Sequence, residues 1–155
     1  MRPVGHATIL VAWALAFVLA AAAGSQAVRA GAKLSPDAAK ALLDQDRITL
    51  IDVRSPREWR ATGIAAGSHA VTIHNPNGIK AFIARVSDTL GGDRSRLVTL
   101  ICAAGVRSAR ALRILELNGF TDVYDVSAGM SGHGRRAGWI ARGLPIRACT
   151  DRAPC

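Results

Sequence analysis

The chain predicts an α/β domain in which a mostly parallel sheet is covered by helices on both faces. Two apolar, β-branched runs, "ITLIDV" (48–53) and "RLVTLI" (96–101), have the unbroken hydrophobicity of strands buried on both sides. Each leads into a segment with helix-start chemistry or helical spacing. A third run, "DVYDV" (122–126), repeats the alternation. At 155 residues and 50% hydrophobic, the chain is long enough for one domain with a core and too short for two ordinary ones.

The first thirty residues differ in kind from the rest. "MRPVGHAT" carries one Arg, Ile9 to Ala23 is fifteen apolar residues, and "GSQAVRA" offers small residues at two cleavage positions. This is the order of a secretory signal. The apolar run is shorter than the roughly 20 residues that span a bilayer, so removal after Ala27 or Ala30 is expected over an uncleaved anchor. The expected location is therefore outside the cytoplasm, in the periplasm, with membrane contact only if the segment stays uncleaved. Removing residues 1–30 takes Arg2 and Arg29 and no acidic residue, so the formal charge falls from +9 to +7.

The remaining elements follow in order. "LSPDAAKALLDQD" opens with Ser35 at an N-cap and Pro36 at the first helical position, and sets Ala39, Leu42 and Leu43 on one side of a short helix. The strand 48–53 comes next. "SPREWRATG" starts a helical turn at Ser55 and Pro56 and stops it at Gly63. "HAVTI" (69–73) is a weak strand, and "HNPNG" is turn chemistry. In "GIKAFIARVSDTLGG", Ile79, Phe82, Ile83, Val86 and Leu90 share one helical face. After the strand 96–101 a helix is expected from about Arg107 to Leu117, then the strand 122–126, then Gly- and Arg-rich loop with a late helix around Trp139.

The charge balance alone suggests nucleic acid or anionic membrane as partner. Against it, no run of five basic residues occurs and aromatics are 5% of the chain, so no nucleic-acid partner is expected. The basic surface suits encounter with small anions. His69 and His74 have no third ligand type at metal spacing, and neither a metal nor another cofactor is expected.

The chemistry concentrates in "CAAGVRS", Cys102 to Ser108. Cys102 stands just after an apolar strand, where α/β sheets collect their functional loops. A helix starting near Arg107 or Ser108 aims its amides and positive dipole end at the sulfur, favouring the thiolate, the competent nucleophile. Gly105 lets the loop curl so that successive N–H groups converge on one anion. Arg107 adds a positive charge at the rim, and Ser108 is a candidate cap for the helix. Read without that context, Cys102 is a small buried hydrophobe. Asp52 and Arg54, at the end of the first strand, are expected to pair, with Glu58 as a third member of their network. Trp59 and Trp139 read as core or rim anchors. In the tail, Cys149 and Cys155 either close a short disulfide loop or stay two thiols.

Together, "LIDVRSPREW", "TGIAAGSHAV", "LICAAGVRSARALRIL", "NGFTDVYDV" and "GWIARGLPI" resemble, in order and spacing, the rhodanese-like domain in its single-domain exported form. The resemblance runs from about Leu34 to Ile146, with 147–155 a Cys-containing tail. It implies a five-stranded, mostly parallel sheet and a sulfurtransferase of the thiosulfate sulfurtransferase type. In that reading Cys102 carries a persulfide between a small anionic sulfur donor and a thiol or cyanide acceptor. Ala103, Ala104, Gly105, Val106, Arg107 and Ser108 would contact the substrate, and Asp52, Arg54 and Glu58 would support the loop. Four residues separate Cys102 from Arg107, the sulfurtransferase count; phosphatase loops on the same fold are one residue longer. A noncatalytic binding module is the alternative. Ala103 and Ala104 supply no charge to select a donor, and His133, Arg135 and Arg136 are candidates to reach over the loop.

Overall fold

The computed structural model describes Gly31, residues 33–150, Arg152, Pro154 and Cys155. The leader expected over Met1–Ala30 lies outside the described residues.

Five strands form a parallel sheet, with β1 (Lys33–Leu34), β6 (Val123–Val126), β5 (Val98–Ile101), β2 (Thr49–Asp52) and β4 (His69–Ala70) side by side in that order. The two strongest apolar runs are β2 and β5, paired from Thr49 opposite Val98 to Asp52 opposite Ile101 near the middle of the sheet. Successive residues point to opposite faces. Ile51, Val98 and Leu100 join Phe82, Val86 and Leu90 of α3 (Gly78–Thr89) and Ala111, Leu112 and Leu115 of α4 (Val106–Glu116). Leu50 and Ile101 join Ala39 of α1 (Pro36–Asp44), Met130 and Trp139 on the other face. Both faces are thus covered, as the unbroken apolar strands require.

The helix starts obey local chemistry. Ser35 Oγ accepts the Ala38 N–H at 3.1 Å. Before α2 (Pro56–Thr62), Ser55 and Glu58 form a reciprocal capping box, and Gly63 at φ +70° ends the helix. The expected face of α3 is buried at Phe82, Val86 and Leu90, while Ile79 at its first turn stays exposed.

Three expectations are corrected. "HAVTI" contributes only His69–Ala70 as β4, although the Val71 and Ile73 amides still bond the carbonyls of Asp52 and Val53. The helix around Trp139 is replaced by turns after a hairpin of β7 (Gly132–His133) and β8 (Arg136–Ala137). There Gly138 sits so close that a Cβ would lie 2.3 Å from the Gly132 nitrogen, and Trp139 is anchored by its indole N–H on the Pro145 carbonyl at 2.9 Å. The packed fold also continues past Ile146. β9 (Ile146–Arg147) pairs antiparallel with β3 (Ile64–Ala65), and Cys149, disulfide-bonded to Cys155, packs on Trp59 and Ile64.

Candidate active site

β5 ends at Ile101, and Cys102 follows it outside the carboxyl end of the sheet. The loop needs Gly105 in a left-handed conformation, φ +89°, to turn directly into α4. No side chain caps that helix, so its first-turn amides face the loop. Cys102 is only 1% exposed. Its Sγ accepts the Gly105 N–H at 3.1 Å and the Ser108 hydroxyl at 3.3 Å. Ser108 is therefore not the helix cap that the sequence suggested. It is the third residue of α4, in the first turn, fully buried, and aims its hydroxyl at the sulfur. Two donors converging on one sulfur favour negative charge there.

The Gly- and Arg-rich stretch that the sequence sets over this loop holds it from behind, through the backbone of residues 130 and 131 rather than through His133, Arg135 or Arg136. The Met130 N–H donates to the Cys102 carbonyl at 2.7 Å, and the Ser131 N–H to the Ala103 carbonyl at 2.8 Å. Gly129 passes so close that a Cβ would meet the Ala103 oxygen at 2.4 Å. The only sequence signal for this contact was the crowding of glycines after 128.

On the other side, Arg107 does not stand free at the rim. Its Nη1 and Nη2 donate to Glu58 Oε2 and Oε1, each at 2.6 Å. Glu58 Oε2 also accepts the Ser55 N–H and hydroxyl, at 3.0 and 2.7 Å. Glu58 thus ties α2 to α4 rather than joining the Asp52–Arg54 pair. The Arg107 guanidinium, more than burial, sets the Glu58 carboxyl, which is lowered to about 2. Arg107 is itself held above its ordinary value, chiefly by Glu58 and in smaller part by the nearby Cys102.

Lowering Glu58 adds stability that is present above its ordinary pKa of 4.5 and is lost as pH falls through about 2. Both side chains are partly exposed, so salt screens the contribution. Glu58→Gln is expected to lower the thermal midpoint at neutral pH and to flatten its fall between pH 4.5 and about 2. Melts of both proteins across that range check this. Equal acid slopes in the two would remove the assignment.

Asp52 and Arg54 do pair, as expected. Arg54 Nε lies 2.9 Å and Nη2 2.7 Å from Asp52 Oδ2, and Arg54 also reaches Thr62 Oγ1 and the Gly63 carbonyl. The pair clamps the end of β2 onto the end of α2.

The other candidates divide. Val106 is 74% exposed, whereas Ala103, Ala104 and Gly105 are half-buried. His133 and Arg136 line a cavity of about 180 Å³ beside Ala104, Gly105 and Val106; Arg135 does not. A cavity of about 300 Å³ lies beside the disulfide, lined by Trp59, Arg60 and Thr150, and the cysteines on its wall are both held in that disulfide. Among the described residues no group of three or more His, Cys, Asp or Glu could hold a metal ion.

The fold that carries this site is shared with known proteins. The polysulfide-sulfur transferase homodimer from Wolinella succinogenes is similar at TM-score 0.59 and 27% identity, over 78% of this chain and 81% of that one. Thiosulfate sulfurtransferase from Pseudomonas aeruginosa matches at TM-score 0.57 and 22% identity, over 76% of this chain and 20% of that one, which speaks to the fold alone. A tRNA uridine(34) hydroxylase of Cytophaga hutchinsonii is 30% identical over 110 residues, 71% of this chain. The chain spans only about a third of that relative, 34% of its length. The family model for the rhodanese-like domain matches residues 35–134, more than half of the chain and all of the cysteine loop with its supports, and this chain belongs to that family.

Proposed function

We propose that the protein is a sulfurtransferase that carries a persulfide on Cys102. The observation that carries this reading is the convergence of the Gly105 N–H and the Ser108 hydroxyl on Cys102 Sγ, within a six-residue loop that ends at Arg107. In the first step the Cys102 thiolate attacks the outer sulfur of an anionic donor. With thiosulfate, a sulfur–sulfur bond forms at Cys102, the donor's own sulfur–sulfur bond breaks, and sulfite leaves with that electron pair. The loop donors hold the charge of Cys–S–S⁻. An acceptor thiolate or cyanide then attacks the outer sulfur, and Cys102 leaves as thiolate. Backbone and hydroxyl donors suffice for this chemistry, so Ala103 and Ala104 are compatible with it. Likeness to the Wolinella polysulfide-sulfur transferase supports the class of donor.

The proposed partners are a small anionic sulfur donor and a thiol acceptor, and the proposed location is the periplasm. The apolar leader and the Cys149–Cys155 disulfide support an oxidising compartment. The test is intact mass after incubation with thiosulfate, polysulfide or an organic thiosulfonate. The expected result is a gain of one sulfur, removed by reductant and absent in Cys102→Ser. No gain with any of the three donors would sink the proposal and leave a binding module.

A further inference from the structure

The hairpin of β7 and β8 sets two basic side chains beside the cysteine loop. His133 and Arg136 stand directly opposite each other in its antiparallel register, and directly opposed residues project to the same face. Gly134, at φ +58°, and Arg135 form the turn between them, and Arg135 stays off the cavity that the other two line. That cavity, about 180 Å³, is completed by Lys33 of β1, by Ser127 and by Ala104 and Gly105 of the loop. Lys33, His133 and Arg136 are all exposed, so it opens to solvent. Among the described residues no ion pair or side-chain hydrogen bond engages any of the three. The acid on the same wall, Asp125, is 3% exposed, and burial raises its carboxyl above the usual carboxylate range. The accessible charge is therefore positive, carried by Lys33 and Arg136, with His133 as a further donor.

Gly105 belongs both to this cavity and to the sulfur: it lines the one and donates its N–H to Cys102 Sγ at 3.1 Å. Cys102 itself does not line the cavity. An anion seated there is thus one residue away from the sulfur without touching it. Thiosulfate does not suit that geometry, because its reacting sulfur is bonded directly to its charged group, which brings the charge to the sulfur itself. An organic thiol whose carboxylate or sulfonate lies two or three carbons from its sulfur does suit it. The volume is below the roughly 300 Å³ of sites for drug-sized ligands and fits one small anionic group.

We propose that the cavity between the cysteine loop and the β7–β8 hairpin binds the carboxylate or sulfonate of a small thiol acceptor, through Lys33, His133 and Arg136. The acceptor's thiolate then attacks the outer sulfur of the Cys102 persulfide. A sulfur–sulfur bond forms to the acceptor, the sulfur–sulfur bond to Cys102 breaks, and Cys102 leaves as thiolate with that electron pair. The product is the acceptor's own persulfide, and no oxidant or reductant is consumed. Donor and acceptor charges are held in different places, the donor's within the loop and the acceptor's beside it. The inference rests on Cys102 carrying the sulfur, and it names the class of acceptor.

The test is single-turnover transfer from sulfur-loaded Cys102 to 2-mercaptoethanesulfonate and to 2-mercaptoethanol, compared per thiolate; the two differ in charge at nearly the same length. The wild type should prefer the sulfonate about tenfold at low salt, the scale of two partly exposed ion pairs, and lose most of that preference at about 1 M salt. In Lys33→Gln/Arg136→Gln the ratio should fall to about 1. Arg135→Gln removes a charge from the same hairpin without touching the cavity and should keep the wild-type ratio. A wild-type ratio near 1 overturns the proposal. So does an Arg135→Gln ratio as low as the double variant's, which would make the preference a property of the basic surface at large. If the double variant instead slows loading by thiosulfate and keeps the ratio, the cavity serves the donor and the proposal is lost. The same charge comparison without sulfur transfer is modification of the Cys102 thiol by 2-sulfonatoethyl and 2-hydroxyethyl methanethiosulfonate. A chain that gains no sulfur, yet prefers the sulfonate reagent through Lys33 and Arg136, keeps the anion site and loses sulfur transfer. A chain that loads sulfur and shows no preference in either assay loses this inference alone.

Discussion

Arg54→Met is expected to destabilise the domain by about 3–5 kcal/mol, enough to unfold a large fraction of a marginally stable chain on mild heating. The cost does not come from the ion pair being strongly favourable. Arg54 and Asp52 side chains are 2% and 0% exposed, and taking both out of water offsets most of their attraction. It comes from what remains. Without the guanidinium, Asp52 keeps the residue 54 amide on Oδ1 at 3.0 Å, but its other oxygen is a buried charge with no donor. The Gly63 carbonyl loses its 2.6 Å donor at the same time. Arg54→Lys cannot copy the fork that spans Asp52, Thr62 and Gly63, and should recover only part of the loss. The double variant Asp52→Asn/Arg54→Met removes the orphaned charge while keeping an acceptor for the amide. It should therefore be more stable than Arg54→Met alone, and urea midpoints of wild type, Asp52→Asn, Arg54→Met and the double variant measure that non-additivity. Additive losses would mean that the pair is not a coupled unit. Function should fall with stability, because the clamp sets α2, and α2 carries the Glu58 that holds Arg107.

Whatever depends on local spacing was legible in the sequence. Ser55, Pro56 and Glu58 announce a helix start, and the capping box is there. The second task of Glu58, to hold Arg107 across 49 positions, leaves no trace in local spacing, because the capping signature already accounts for the residue. Ser108 was misread for a related reason. A serine near a helix start suggests a cap, but the turn begins with Gly105 in the left-handed region, which puts Ser108 inside the helix and against the sulfur. The two-residue strands β1, β4 and β9 are too short for any period to show. They exist because edge backbone finds partners, Lys33 opposite Asp125 and Ile64 opposite Arg147. Around Trp139 an apolar anchor suggested a helix, whereas close approach between Gly132 and Gly138 demanded a hairpin.

Gly105→Ala should be the most damaging small substitution in the cysteine loop. At φ +89° an alanine is strained by roughly 1–3 kcal/mol wherever it sits. Here the new Cβ would also lie 2.3 Å from the Ser127 carbonyl oxygen, a backbone atom that cannot rotate away. Relief requires the loop to lift from Ser127 or Ser127 to retreat. Lifting the loop carries the residue 105 amide away from Cys102 Sγ, which it meets at 3.1 Å. Loss of one such donor typically costs about 10²–10³-fold in rate, so sulfur loading of Cys102 should slow by at least about a hundredfold. Gly91→Ala is the matched control. Its φ is +69°, nothing lies within 4 Å of the added Cβ, and it sits beyond α3, away from the sulfur. It should show the conformational cost in its melting temperature and none of the loss in loading rate. If Gly105→Ala loads sulfur as fast as Gly91→Ala, the amide is not part of the persulfide cradle, and holding the charge would fall to Ser108 and the first turn of α4.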